Sequence, residues 1–163
     1  MLPRLLLLVD DNSDDEALTR RALRRVEECS IEVVVARDGR AALDLLNDLE
    51  PVRRLPRRPD LVLLDLKMPR LSGSEVLASL RANPALRDLP VVVFTSSSEE
   101  QDRRTSLALG ASDFVSKPVE YGAFCDAVVA ILRRWTPTSA EPPTAPRTAP
   151  HGGTSAASVE TPS

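Results

Sequence analysis

Asp10-Asp11, Asp65, Thr95 and Lys117 stand out by type and position, because each closes a short apolar run of the sequence. Three carboxylates gathered without a cation would repel until one held a proton. An all-oxygen set of this kind suits a hard divalent ion, Mg²⁺ (or Mn²⁺), and Mg²⁺ takes only one or two protein carboxylates while keeping several waters. Lys117 adds a compact positive charge and Thr95 a hydroxyl donor. A metal, an ammonium and a hydroxyl around one carboxylate make a cradle for a phosphoryl group carried on that carboxylate. Asp65, in the central run, is the carboxylate so placed.

Each residue also has an ordinary role open to it. An Asp at a strand end often caps the next helix, so Asp10, Asp11 or Asn12 could serve there; Ser13-Asp14-Asp15-Glu16 reads as a capping box that fills the post with Ser13. Thr95 alone could simply end a strand. Lys117 is the more telling residue: only two of the 21 basic residues are lysines, Lys67 and Lys117. Arginine's flat fork is a poor substitute for a point charge at a tight phosphoryl site.

These residues can meet only if the intervening segments fold to bring the run ends together. The runs Leu5–Val9, Ile31–Ala36, Leu61–Leu64, Val91–Phe94 and Phe114–Ser116 are strands by composition. The first four are apolar at nearly every position, as parallel strands covered on both faces are. Between them lie helix-length segments: one from the Ser13 box, one capped by Asp38 and running to about Leu49, and one opened by Ser72 or Ser74 and ending before Asn83-Pro84. A fourth is capped at Ser98-Glu99-Glu100-Gln101 and stopped by Gly110, and a fifth runs from after Pro118 to Trp135. Five β–α units in succession predict an α/β fold with a doubly wound, five-stranded parallel sheet. Sites in such sheets lie outside the carboxyl ends of the strands.

The chain has 163 residues, 42% hydrophobic and 28% charged, with a net charge of −3. That length predicts one domain, and no apolar run nears the roughly 20 residues of a membrane span. The near balance of charge and five aromatic residues argue against direct DNA binding and base stacking. Cys29 and Cys125 lack metal-ligand spacing and read as reduced thiols of a cytoplasmic protein. Six of the 14 prolines fall in residues 137–163, where Val159 is the only large aliphatic side chain. The expected organisation is a folded unit over 1–136 and a disordered Pro/Ser/Thr/Ala-rich tail over 137–163, which holds the lone His151.

Taken together, LLLLVDDN at 5–12, DLVLLDLKMP at 60–69, VVVFTSS at 91–97 and FVSKP at 114–118, with Gly73 and Gly110 at turns, resemble the receiver domain of bacterial two-component response regulators. The separations from Asp65 to Thr95 (30 residues) and Thr95 to Lys117 (22 residues) are similar to that family's, over about residues 4–135. The resemblance implies a flavodoxin-like (βα)5 fold and a phosphorelay role. Asp65 would be the phosphoacceptor from a sensor histidine kinase. Asp10, Asp11, Asp65 and the main-chain carbonyl of Lys67 would hold the metal. Thr95 and Lys117 would bind the phosphoryl group, with Phe114 as the aromatic switch. Lys67 and Ser97 would tune phosphate lifetime, and Lys117–Pro118 would be a cis bond.

The loop EPVRRLPRRP at 50–59 and the Arg-Arg-Trp helix end resemble single-domain regulators that accompany phytochrome-type kinases, which makes a bacteriophytochrome the expected partner. In the last helix, Val119, Phe124, Val128, Ile131 and Trp135 suffice for a core stripe. Tyr121, Cys125, Val129 and Leu132 are then left over, and the resemblance implies a homodimer through the face formed by the fourth and fifth helices with the fifth strand. Two other classes compete with a signalling switch that is not an enzyme. An aspartyl-phosphate phosphatase of the haloacid dehalogenase type needs an acid two residues after its nucleophile, where this chain has Lys67. A phosphorylation-independent pseudo-receiver would be expected to lack Asp11, Asp65 or Lys117. There is no GxGxxG or GxxxxGK[ST] for a nucleotide.

Overall fold

The computed structural model describes residues 4–47 and 55–136. The expected tail over 137–163, its His151 and the Glu50–Arg54 part of the long loop lie outside the described residues. The elements alternate strictly: β1 (Arg4–Val9), α1 (Ser13–Leu23), β2 (Ile31–Ala36), α2 (Gly39–Leu46), β3 (Leu61–Leu64), α3 (Gly73–Ala82), β4 (Val91–Thr95), α4 (Glu100–Ala108), β5 (Asp113–Ser116) and α5 (Tyr121–Trp135). The five strands form one parallel sheet in the order β2-β1-β3-β4-β5.

Side-chain alternation explains the unbroken apolar strands. Leu6, Leu8, Leu61 and Leu63 enter a core shared with Ala22 of α1 and Phe124, Val128 and Leu132 of α5. Their neighbours Leu7, Val9, Val62 and Leu64 enter a second core with Ala42 and Leu45 of α2 and Val76, Leu77 and Leu80 of α3. Both faces need apolar residues, so after Arg4 at its start β1 has no polar position, and β3 has none. The edge strand β2 departs from that expectation: only Ala36 is fully buried, because β2 has a neighbour on one side alone.

The helix starts are partly as read. Asp38 caps α2 through the Ala41 N–H, and Ser72 and Glu75 form a capping box at α3. Two caps are corrected. Asn12, not Ser13, caps α1 by accepting from the Asp14 and Asp15 N–H groups. The N-cap of α4 is Glu99, without a side-chain cap bond. Gly110 follows α4 with φ +99°, the left-handed conformation that suits glycine.

The spare apolar face of α5 is also corrected. Cys125, Val129 and Leu132 are all buried, in the same core as Ala22 and Val26. A helix lodged between the sheet and α1 contacts both, so it needs a wider apolar face than a single surface stripe. Of the four residues left over for a dimer, only Tyr121 is exposed, while Val119, assigned above to the core, is fully exposed.

Candidate functional site

Strand register assembles the site. Val9 pairs with Leu64, and the Asp65 N–H donates to the Val9 carbonyl at 2.9 Å, so Asp10 and Asp65 leave adjacent strands side by side. Thr95 pairs with Ser116, and the Lys117 N–H donates to the Thr95 carbonyl at 2.7 Å. The β1/β3 boundary is where strand order reverses, the crevice in which doubly wound sheets bind ligands.

The carboxylate oxygens of Asp10, Asp11 and Asp65 lie within 4.8 Å of one another; Asp10 and Asp65 are buried and Asp11 is exposed. Lys117 reaches across from β5, with Nζ 2.6 Å from Asp10 Oδ2 and 3.3 Å from Asp65 Oδ2. The Phe94 ring lies beneath it, 5.9 Å from Nζ. Burial raises the pKa of Asp10, against the pull of the Lys117 and Asn12 hydrogen bonds. Burial also works against the Lys117 ammonium, but its bonds to Asp10 and Asp15 outweigh this and push its pKa up, so it stays charged.

A third partner of Lys117 escaped the sequence reading: Asp15 Oδ2, 2.7 Å from Nζ. Assigning the cap to Ser13 absorbed Asp15 into the capping box. With Asn12 as cap, Asp15 falls one turn into α1 and faces back toward the strand ends. Three carboxylates then bond one ammonium, with Asp11 a fourth carboxylate close by. The excess negative charge, with all-oxygen donors and an exposed carboxylate at Asp11, fits a divalent cation of the Mg²⁺ or Mn²⁺ kind.

The remaining expected residues lie around this centre. Thr95 is fully buried, and its Oγ1 accepts the Ser97 N–H at 3.4 Å. Ser97 Oγ donates to the Asp102 carboxylate on α4, and its carbonyl accepts Ser116 Oγ at 3.0 Å. Phe114 is buried with Leu66 and Val93. The Lys67 side chain is exposed, and its N–H donates to Asp65 Oδ1 at 3.4 Å. Gly73 permits the close approach of α3: a Cβ there would lie 2.2 Å from the Asp65 carbonyl oxygen. The expected cis bond at Lys117–Pro118 is corrected, since the described residues contain no cis peptide. The trans form is the lower in energy by about 0.5–1 kcal/mol before proline.

Comparison with known proteins places this geometry in context. The sequence profile of the family described as "Response regulator receiver domain" matches residues 6–129. Response regulator Rcp1 of Synechocystis is 37% identical over 115 residues, spanning 71% of this chain and 77% of Rcp1. The Mn²⁺-bound structure of Rcp1 superposes with a TM-score of 0.75 at 33% identity, over 86% of this chain and 99% of that one. The phosphorylated cyanobacterial phytochrome response regulator RcpA gives a TM-score of 0.79 at 33% identity, covering 85% of this chain and 97% of RcpA. The bacteriophytochrome response regulator AtBRR is 44% identical with a TM-score of 0.65, covering 80% and 95%.

Proposed function

This chain belongs to the response regulator receiver domain family, and from that premise we propose that it is a phosphorylation switch, charged at Asp65 by a sensor histidine kinase of the phytochrome type. Receiver domains pair with sensor histidine kinases as a class. The finer pairing is supported by the likeness to phytochrome response regulators RcpA and AtBRR. The observation that carries the chemistry is the buried Asp65 carboxylate, flush with Asp10 and bonded to Lys117.

An Asp65 carboxylate oxygen attacks the phosphorus of a phosphohistidine, the P–N bond breaks, and a mixed anhydride forms. Asp10, Asp11 and Asp65, with the Lys67 carbonyl, would hold a divalent ion, which would supply charge neutralisation for the transferring group. Lys117 pairs with one phosphoryl oxygen. Thr95 Oγ1 exchanges its contact with the Ser97 N–H for a donated bond to another. That movement loosens the β4–α4 loop; Phe114, the expected aromatic switch, is already buried with Leu66 and Val93 and has no inward turn left to make. Lys67 and Ser97 tune how long the phosphate lasts.

The readout face is α4–β5–α5, where Leu107, Val119 and Tyr121 are the exposed large apolar residues among those described. Homodimerisation belongs to that face through these three residues. No helix among the described residues is long and apolar enough to cross a membrane, and both cysteines are free. These features support a cytoplasmic site of action, beside the kinase.

The test is phosphotransfer from a phytochrome-type kinase, with the Asp65→Asn variant as control. Light-dependent label on the wild type and none on the variant is the expected result. Label that is equal on the two proteins would overturn the assignment of Asp65. Transfer from other kinases but not from this one would overturn the phytochrome pairing alone.

A further inference from the structure

We propose that Asp15 is a positioning residue for Lys117, holding its ammonium from the α1 side so that one N–H is directed at Asp65. The inference rests on the reading of Asp65 as phosphoacceptor and Lys117 as its phosphoryl partner. An ammonium has three donors and no acceptor, and here all three meet carboxylates: Asp10 at 2.6 Å, Asp15 at 2.7 Å and Asp65 at 3.3 Å. The two short bonds act as struts and the long one is the bond to be exchanged. When Asp65 becomes an acyl phosphate, its carboxylate charge is lost and a phosphoryl oxygen takes over the third N–H. Asp10 and Asp15 keep theirs.

The helix does not need the Asp15 carboxylate for itself. Asn12 already caps α1, and Asp14 and Glu16 also supply negative charge to its first turn. Glu16 is engaged elsewhere, with Arg20 and Arg37. Asp14 is exposed, whereas the Asp15 side chain is turned inward to 22% exposure. Without Asp15, Lys117 keeps one strut and its long, four-carbon stem regains freedom.

The chain has only two lysines, Lys67 and Lys117, so the side-chain ammonium groups give at most two ¹⁵N signals. Lys67 is exposed and exchanges fast; Lys117, at 6% side-chain exposure, is the one to be observed. The experiment compares wild type, Asp15→Ala and Asp15→Asn by that signal and by steady-state phosphorylation with acetyl phosphate and Mg²⁺. Circular dichroism confirms that each variant is folded. Asp15→Ala is expected to broaden or abolish the Lys117 signal and to lower phosphorylation roughly 3- to 10-fold, the scale of the net contribution of one intramolecular hydrogen bond. Asp15→Asn, which keeps an acceptor oxygen, restores part of both. In a Lys117→Gln background, Asp15→Ala has no further effect on labelling.

A Lys117 signal and a labelling level unchanged in Asp15→Ala would overturn the proposal. So would an equal loss of labelling in the Lys117→Gln background, which would make Asp15 a helix or charge effect that does not act through Lys117. A wild type that takes no label, while its Lys117 signal depends on Asp15, would overturn the phosphoacceptor reading and leave the strut in place.

Discussion

At the scale of the residue, the site balances four carboxylates against one ammonium, and the neighbours of Asp65 set what happens after it is charged. Lys67 is exposed two positions beyond it, with its main-chain N–H on Asp65 Oδ1. In the proposed function a cation there would screen the acyl phosphate or obstruct the attacking water, so Lys67→Ala should change the half-life of phosphorylated protein, followed by loss of label after the donor is removed. An unchanged half-life would remove Lys67 from this role. Gly73 is the backbone counterpart. Because a Cβ would overlap the Asp65 carbonyl, Gly73→Ala should cost about 1–3 kcal/mol in urea unfolding and slow phosphorylation, since only movement of α3 or of Asp65 relieves the overlap. Asp10, Asp11, Asp65, Thr95 and Lys117 were readable in sequence because each ends an apolar run. Asp15 was not, because the choice between Asn12 and Ser13 as cap depends on backbone dihedrals that composition does not encode.

At the scale of the element, alternation along β1 and β3 divides the apolar residues between two cores and leaves the strand ends as the only polar positions. That division made the sheet legible. The helix faces were less so, because a stripe analysis treats α5 as resting on the sheet alone, whereas it also packs against α1 through Cys125, Val129 and Leu132. Val129→Glu therefore places a carboxylate in a core and should lower stability by about 3 kcal/mol in thermal or urea unfolding. A stable monomer produced by Val129→Glu would instead support the dimer role expected from sequence. Elsewhere Arg81 ties α3 to the loops that precede β4 and β5, donating to the carbonyls of Gly110, Arg87 and Leu89 at 2.8 Å each. Burial lowers the pKa of its guanidinium, which remains charged and fills a post that no shorter cation would span. Of the arginines in the 50–59 loop, Arg57 pairs with Asp60 and Arg58 donates to the Ala85 carbonyl.

At the scale of the whole molecule, an overall charge of −3 conceals a concentrated acidic centre at one end of the sheet. The same end carries the only buried lysine among the described residues. Fold and site were read together because one rule, that ligands bind beyond the carboxyl ends of parallel strands, converts five strand ends into one place. The central claim is that this place carries a Mg²⁺-dependent phosphoryl group on Asp65. The most direct measurement is site mapping after reaction with acetyl phosphate. Borohydride reduces an aspartyl phosphate to the alcohol, so the modified residue is read from the mass of its peptide. Reduction at position 65, abolished by chelation of Mg²⁺, is predicted. Phosphorylated protein whose reduced residue lies elsewhere, or whose labelling persists in chelator, would contradict the account.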